Sequence, residues 1–135
     1  MKNIIIFAPV KTGRTWISKR IKEELGYKGT IIVADEIYEG DTLKQISKDF
    51  FMLGIGYANS TPEQELKWEQ ERKSPRAAMG IEWFAERIKE SKKVKATAEK
   101  YGFKYFDSSD FTHEEILSGK SIEIILAYVK KEMKL

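Results

Sequence analysis

The chain has 135 residues, with 24 Lys and Arg against 21 Asp and Glu, one His and no Cys. That length is one domain with a real core, and a net charge of +3 with the signs interspersed offers no basic arm for nucleic acid. Lack of Cys excludes disulfides, thiolate zinc sites and cysteine nucleophiles, and the single His speaks against His-rich metal sites and a serine-protease-type triad. The longest apolar run, Ile4 to Val10, is broken by Pro9, is far too short to span a bilayer and has no small-residue cleavage site after it. The expectation is a single cytoplasmic domain over 1–135, with no nucleic-acid or membrane partner.

Taken in order, Ile4-Ile-Ile-Phe7 is the continuous β-branched and aromatic run of a strand buried on both faces. The loop from Ala8 to Thr15 follows, and then Ile17, Ile21 and Leu25 recur at helical spacing up to Gly26, a helix-ending glycine. A second buried-strand run, Gly29 to Ala34, ends in Asp35-Glu36; strand, helix, strand is a βαβ unit with parallel pairing. A short helix is expected over Thr42–Asp49 and a third strand over Phe50–Tyr57, where Gly54 and Gly56 allow other groups to approach closely. Thr61, Pro62 and Gln64 mark a helix start by N-cap, N1 and N3 chemistry, and this helix is polar nearly all round until Pro75 breaks it.

Phe84, Ile88, Val94, Ala98 and Tyr101 share one face of a longer helix closed by Gly102, and Phe103–Phe106 is a fourth strand. Thr112-His113-Glu-Glu reads as a surface helix start, and Ser121 as the cap of a last helix with Ile122, Ile125, Leu126, Val129 and Met133 in one stripe. Trp16 and Trp83 read as core packing, whereas Trp68, on the polar helix, reads as the cover of a cleft or a partner surface. Alternating β and α in this order is an α/β fold: a three-layer sandwich around a mostly parallel sheet of about four strands.

Residues 4–16 carry the functional signal. A buried strand, a short loop with Gly and cationic side chains, and a helix opening on Thr form the layout of a phosphate-binding loop. The first N–H groups of a helix are unpaired and lie at the positive end of its dipole, and glycine lets the backbone wrap an anion closely. The alternative is an ordinary βα turn. The segment Ala8-x-x-x-x-Gly13-Arg14-Thr15 resembles the Walker A motif G-x-x-x-x-G-K-[ST] of P-loop kinases and NTPases, with Ala8 for the first glycine and Arg14 for the lysine. Arg14 keeps the charge but is a planar fork, so the exchange is not conservative at a tight phosphate site. Lys11-Thr12-Gly13-Arg14-Thr15-Trp16 is also similar to the sulfotransferase loop P-K-[ST]-G-[TR]-T-W, which grips PAPS, although Val10 displaces the proline.

The remainder of the chain resembles small-molecule and nucleotide kinases of the shikimate and adenylate kinase type. That resemblance implies a P-loop NTPase-like fold, ATP and Mg²⁺ as cofactors, and a small-molecule or nucleotide acceptor. It implies phosphate binding by Lys11, Thr12, Gly13, Arg14, Thr15 and Trp16, with Thr15 on Mg²⁺. It places Asp35 at the acceptor hydroxyl, where the alternative is a turn or N-cap carboxylate. It makes Arg72 and Arg76 lid arginines over the transferring group, where the alternative is a solvated surface helix. Such kinases carry five parallel strands, and the stretch between Glu36 and Phe50 has room for one short helix and no extra strand. Phe50 to Tyr57 also holds no Asp or Glu to position Mg²⁺. A non-catalytic nucleotide-binding or interaction protein that kept the fold is therefore the second expectation, and a PAPS-binding protein the third.

Overall fold

Four short apolar runs become four parallel strands. The structure, a computed structural model, describes residues 2–9, 14–35 and 37–135, with Arg14 and Thr15 described by backbone alone. The strands are β1 (Asn3–Phe7), β2 (Ile31–Ala34), β3 (Phe50–Gly56) and β4 (Lys104–Asp107). They lie in the order β2-β1-β3-β4, every neighbouring pair parallel, with Ile4 beside Ile31 and Phe51, and Gly56 beside Asp107. β2 pairs directly with β1, as expected from the short stretch between Glu36 and Phe50.

Among the described residues there are six α-helices: α1 (Arg14–Leu25), α2 (Gly40–Asp49), α3 (Pro62–Glu71), α4 (Ile81–Tyr101), α5 (His113–Ser118) and α6 (Lys120–Met133). β1 is apolar at every position from Ile4 because it is covered twice. Ile4 and Ile6, with Leu53 and Ile55 of β3, meet Ile17 and Ile21 of α1 and Ile125, Leu126 and Val129 of α6. Ile5 and Phe7 point the other way, toward Leu43 of α2 and Val94 of α4. The result is a three-layer α/β sandwich. No helix among the described residues is long and apolar enough to cross a membrane.

Local chemistry sets the element ends. The Thr61 hydroxyl accepts from the Gln64 N–H at 3.2 Å and starts α3 with Pro62 next. Gly102 ends α4 in the left-handed region at φ 76°, where a glycine is unstrained. In β3, a Cβ at Gly56 would stand 2.6 Å from Ser91 Oγ and 2.8 Å from Ser91 Cβ. Glycine there lets α4 close on the sheet, and the buried Ser91 hydroxyl then accepts from the Tyr57 N–H at 3.1 Å.

Two expectations change. Ser121 is not the cap of the last helix: Thr112 and Glu115 form a capping box that starts α5, and Gly119 at φ 82° joins α5 to α6, leaving Ser121 in the first turn. Trp16 is not core: it is 52% exposed on α1, with the Arg20 guanidinium 5.8 Å from its ring centre. Trp83 is half-buried, edge-on to Phe84 with ring centres 5.0 Å apart.

Candidate functional site

In a doubly wound parallel sheet, the crevice forms outside the carboxyl ends of the strands, where neighbouring strands send their chains to opposite faces. Here β1 leads to α1 on one face and β3 leads toward α3 and α4 on the other. A cavity of about 220 Å³ lies at that edge. Its base is the end of β3 (Ile55, Gly56 and Tyr57) and of β4 (Phe106, Asp107 and Ser108), and Ile17 in the first turn of α1 borders it.

α3 supplies the charged wall. Glu65, Trp68, Glu69 and Arg72 recur at i, i+3, i+4 and i+7, one stripe of a helix, and all four line the cavity. The helix then ends on hydrogen bonds from the Lys73 N–H to Gln70 O and the Ser74 N–H to Glu69 O. That pattern puts Lys73 at φ 53°, a left-handed position that favours glycine. The chain so reversed enters a 3₁₀ turn, Pro75–Ala78, in which the Ser74 hydroxyl accepts from the Arg76 N–H at 3.1 Å and Arg76 joins the same cavity.

The opposite wall is apolar, built by Phe106, Phe111, Ile116, Ile122 and Ile125. The two sides meet over the top. Trp68 of α3 stacks on His113 of α5 with ring centres 5.2 Å apart and planes at 28°, and His113 Nε2 lies 3.9 Å from Glu71 Oε2. α3 packs on α4, and α5 on α6, so this contact links the helical layers of both sheet faces across the strand ends.

Each polar group has a distinct setting. The Arg72 guanidinium bonds Glu69 Oε1 at 3.2 Å, while its Nε is buried with no hydrogen-bond partner among the described residues, as is Ser108 Oγ. Glu65 accepts from the Ser60 hydroxyl at 2.8 Å and has no ion pair among the described residues. Burial raises the Glu65 carboxyl pKa above its ordinary value, against the lowering effects of the Ser60 hydroxyl and the Arg72 charge. Burial likewise pushes the Tyr57 phenol well above its usual range, so at neutral pH it is a neutral hydroxyl.

Asp107, 2% exposed, is fully engaged. It accepts from the Tyr105 hydroxyl, from the Asn59 N–H at 3.3 Å, and from the Ser109 N–H and hydroxyl at 3.0 and 2.8 Å. The Tyr105 hydroxyl in turn accepts from the Ala58 N–H at 3.1 Å. This network pins the chain leaving β3 to the end of β4 and leaves Asp107 a positioning group.

Of the residues singled out in the sequence, Arg72 and Arg76 come together at the cavity, and Trp68 forms part of its cover. Asp35 is exposed at the end of β2, one of the two edge strands, and is not among the cavity-lining residues. Lys11, Thr12 and Gly13 lie outside the described residues, as do the side chains of Arg14 and Thr15. Glu65, Glu69, Tyr57, Asp107 and His113 converge from four segments, and single-sequence spacing does not reveal that. The only local signal was Asp107 closing a strand in a parallel sheet. Among the described residues, no three His, Asp or Glu side chains gather as a metal-binding group. The chain matches no protein-family model, no curated protein and no solved structure.

Proposed function

We propose that the chain is a reduced P-loop kinase-like protein that transfers a phosphoryl group from ATP to a small molecule held in the cavity between α3 and α6. The observation that carries the reading is the meeting of Arg72 and Arg76 in one cavity at the carboxyl ends of parallel strands, beside the first turn of α1. Two guanidinium groups there are placed to stabilise the charge that develops on a phosphoryl group in transfer. The start of α1 fits an anion as well. It has no acidic residue in its first turn and opens on Arg14, so nothing within the helix offsets the positive end of its dipole.

In this reading the backbone over 11–15 holds the ATP phosphates, Arg14 stands where the Walker lysine would be, and Thr15 binds Mg²⁺. ATP supplies the phosphoryl group when bound. The residues around the cavity hold and orient the acceptor, Trp68 and His113 exclude water above it, and Arg72 and Arg76 close on it from the end of α3 and the turn after it. One observation favours a second reading, that of a nucleotide-binding protein without turnover: Asp35 is exposed at the far edge of the sheet, and the one Asp at the cavity is already saturated by donors.

The test is a thermal-shift comparison of wild type and Thr15→Ala with ATP, ADP, AMP, GTP and PAP, each with and without Mg²⁺. Saturating ATP with Mg²⁺, at about 100 times its dissociation constant, should stabilise the wild type by about 2.7 kcal/mol. Thr15→Ala should lose the Mg²⁺-dependent part. Stabilisation by PAP alone would move the loop to the sulfotransferase type, and no stabilisation by any of them would overturn the phosphate-loop reading.

A further inference from the structure

We propose that the cavity takes a zwitterionic small molecule with an apolar side chain, of the class of a free leucine-sized amino acid. This names the acceptor class and rests on the phosphoryl-transfer reading for the ligand's role as acceptor. In that role a ligand carboxylate oxygen would bond the γ-phosphorus of ATP while the bond from that phosphorus to the departing ADP oxygen breaks, giving an acyl phosphate and ADP. The binding itself stands on the cavity alone.

Size comes first. A 150 Å³ cavity holds benzene, so about 25 Å³ serves each non-hydrogen atom. At that ratio a cavity of about 220 Å³ takes about nine, the number in leucine. About half of the lining is apolar, and Phe106, Phe111, Ile116 and Ile122 suit a branched hydrocarbon body.

Charge decides the head group. Asp107 has its oxygens filled by donors from Tyr105, Asn59 and Ser109, so the wall's charge is set by Glu65, Glu69, Arg72 and Arg76, with Arg72 bonded to Glu69. Such a balanced wall suits a ligand carrying one charge of each sign. Glu65 is half-buried with a hydroxyl donor and no ion pair among the described residues, the setting that an ammonium group would complete. Farther along the same wall, Arg72 keeps a buried Nε with no hydrogen-bond partner among the described residues, a donor that can receive the ligand's carboxylate. Burial raises the Glu65 pKa, as a carboxylate without an ion pair should show.

The experiment is a titration of ¹⁵N- and methyl-labelled protein with leucine, glycine, 4-methylpentanoate and 3-methylbutylamine, and separately with ATP and Mg²⁺. Leucine should give saturable shifts at the Trp68 indole and the Ile116 and Ile122 methyls. Glycine, which lacks the body, and the two analogues, each lacking one charge, should bind at least about tenfold more weakly. Glu65→Gln, which keeps the acceptor for Ser60, should weaken leucine and leave 4-methylpentanoate unchanged. Ile122→Trp, which fills the cavity, should abolish leucine binding while amide spectra show the fold retained.

Equal binding of leucine and either analogue, persistence in Ile122→Trp, or no leucine shifts would overturn the assignment. ATP binding without leucine binding would overturn this inference alone. Leucine binding without ATP binding would overturn the phosphoryl-transfer reading and leave the cavity assignment standing.

Discussion

The ends of β2 and β4 occupy equivalent places, each at the carboxyl edge of one parallel sheet and each closing on an aspartate. Their settings are opposite. Asp35 follows an edge strand and stands in solvent, whereas Asp107 is 2% exposed, accepts from three residues and lies at a cavity roofed by α3 and α5. Position in the sheet therefore does not make a site; cover does. β3 and β4 gain that cover because the chain between them holds a helix whose Glu65–Arg72 stripe turns down onto the strand ends.

The contrast is open to breakage at several points. Asp107→Ala should destabilise most, by about 3 kcal/mol, because the Tyr105 hydroxyl and the Asn59 N–H lose a buried acceptor. Asp35→Ala should stay within about 0.5 kcal/mol, as surface changes do. Urea midpoints of the two variants measured side by side decide this, and equal losses would erase the distinction.

Gly56→Ala comes next. Its Cβ would meet Ser91 Oγ at 2.6 Å, on the helix that packs against β3, and forcing the two apart should cost about 2 kcal/mol. Ser91→Gly introduced alongside should recover the steric part, and a failure to recover any of it would mean that β3 and α4 are not in such close contact.

Glu65→Gln is the smallest effect and depends on pH. A carboxyl whose pKa is raised in the folded state contributes stability that is whole below its ordinary value of 4.5 and is lost as pH rises through the raised value. Wild type should therefore fall relative to Glu65→Gln as pH rises above about 4.5, leaving the variant ahead at neutrality. Thermal midpoints that run parallel across that range would show Glu65 to be as solvated as Asp35.

Much of the scaffold was legible because single residues state it. Continuous apolar runs marked β1 and β3, Thr61-Pro62 marked the start of α3, and Gly102 marked the end of α4. The break between α5 and α6 was missed because Ser121 looked like a cap, while the earlier Thr112–Glu115 box had already nucleated α5 and Gly119 could take the left-handed turn. Trp16 reads as core in the sequence, yet on α1 the buried stripe is Ile17 and Ile21, and the residue beside it faces outward.

The site was half legible. Arg72 and Arg76 were visible as a cationic pair near a break. Their partners Glu65 and Glu69 looked like the ordinary acids of a polar helix, and only tertiary cover turns that stripe inward. His113 likewise looked like a surface residue until its stack on Trp68 brought α5 over the strand ends. Contacts between residues 45 positions apart leave no local trace in composition or spacing.

The most direct test of a site at β3 and β4 is where nucleotide perturbs the amide spectrum. Titration with ATP and Mg²⁺ should move resonances over residues 8–18 together with Gly56–Ala58 and Ser108, with little change over Ile31–Asp35. Saturable shifts confined to β2 and Asp35, or none at all, would contradict it.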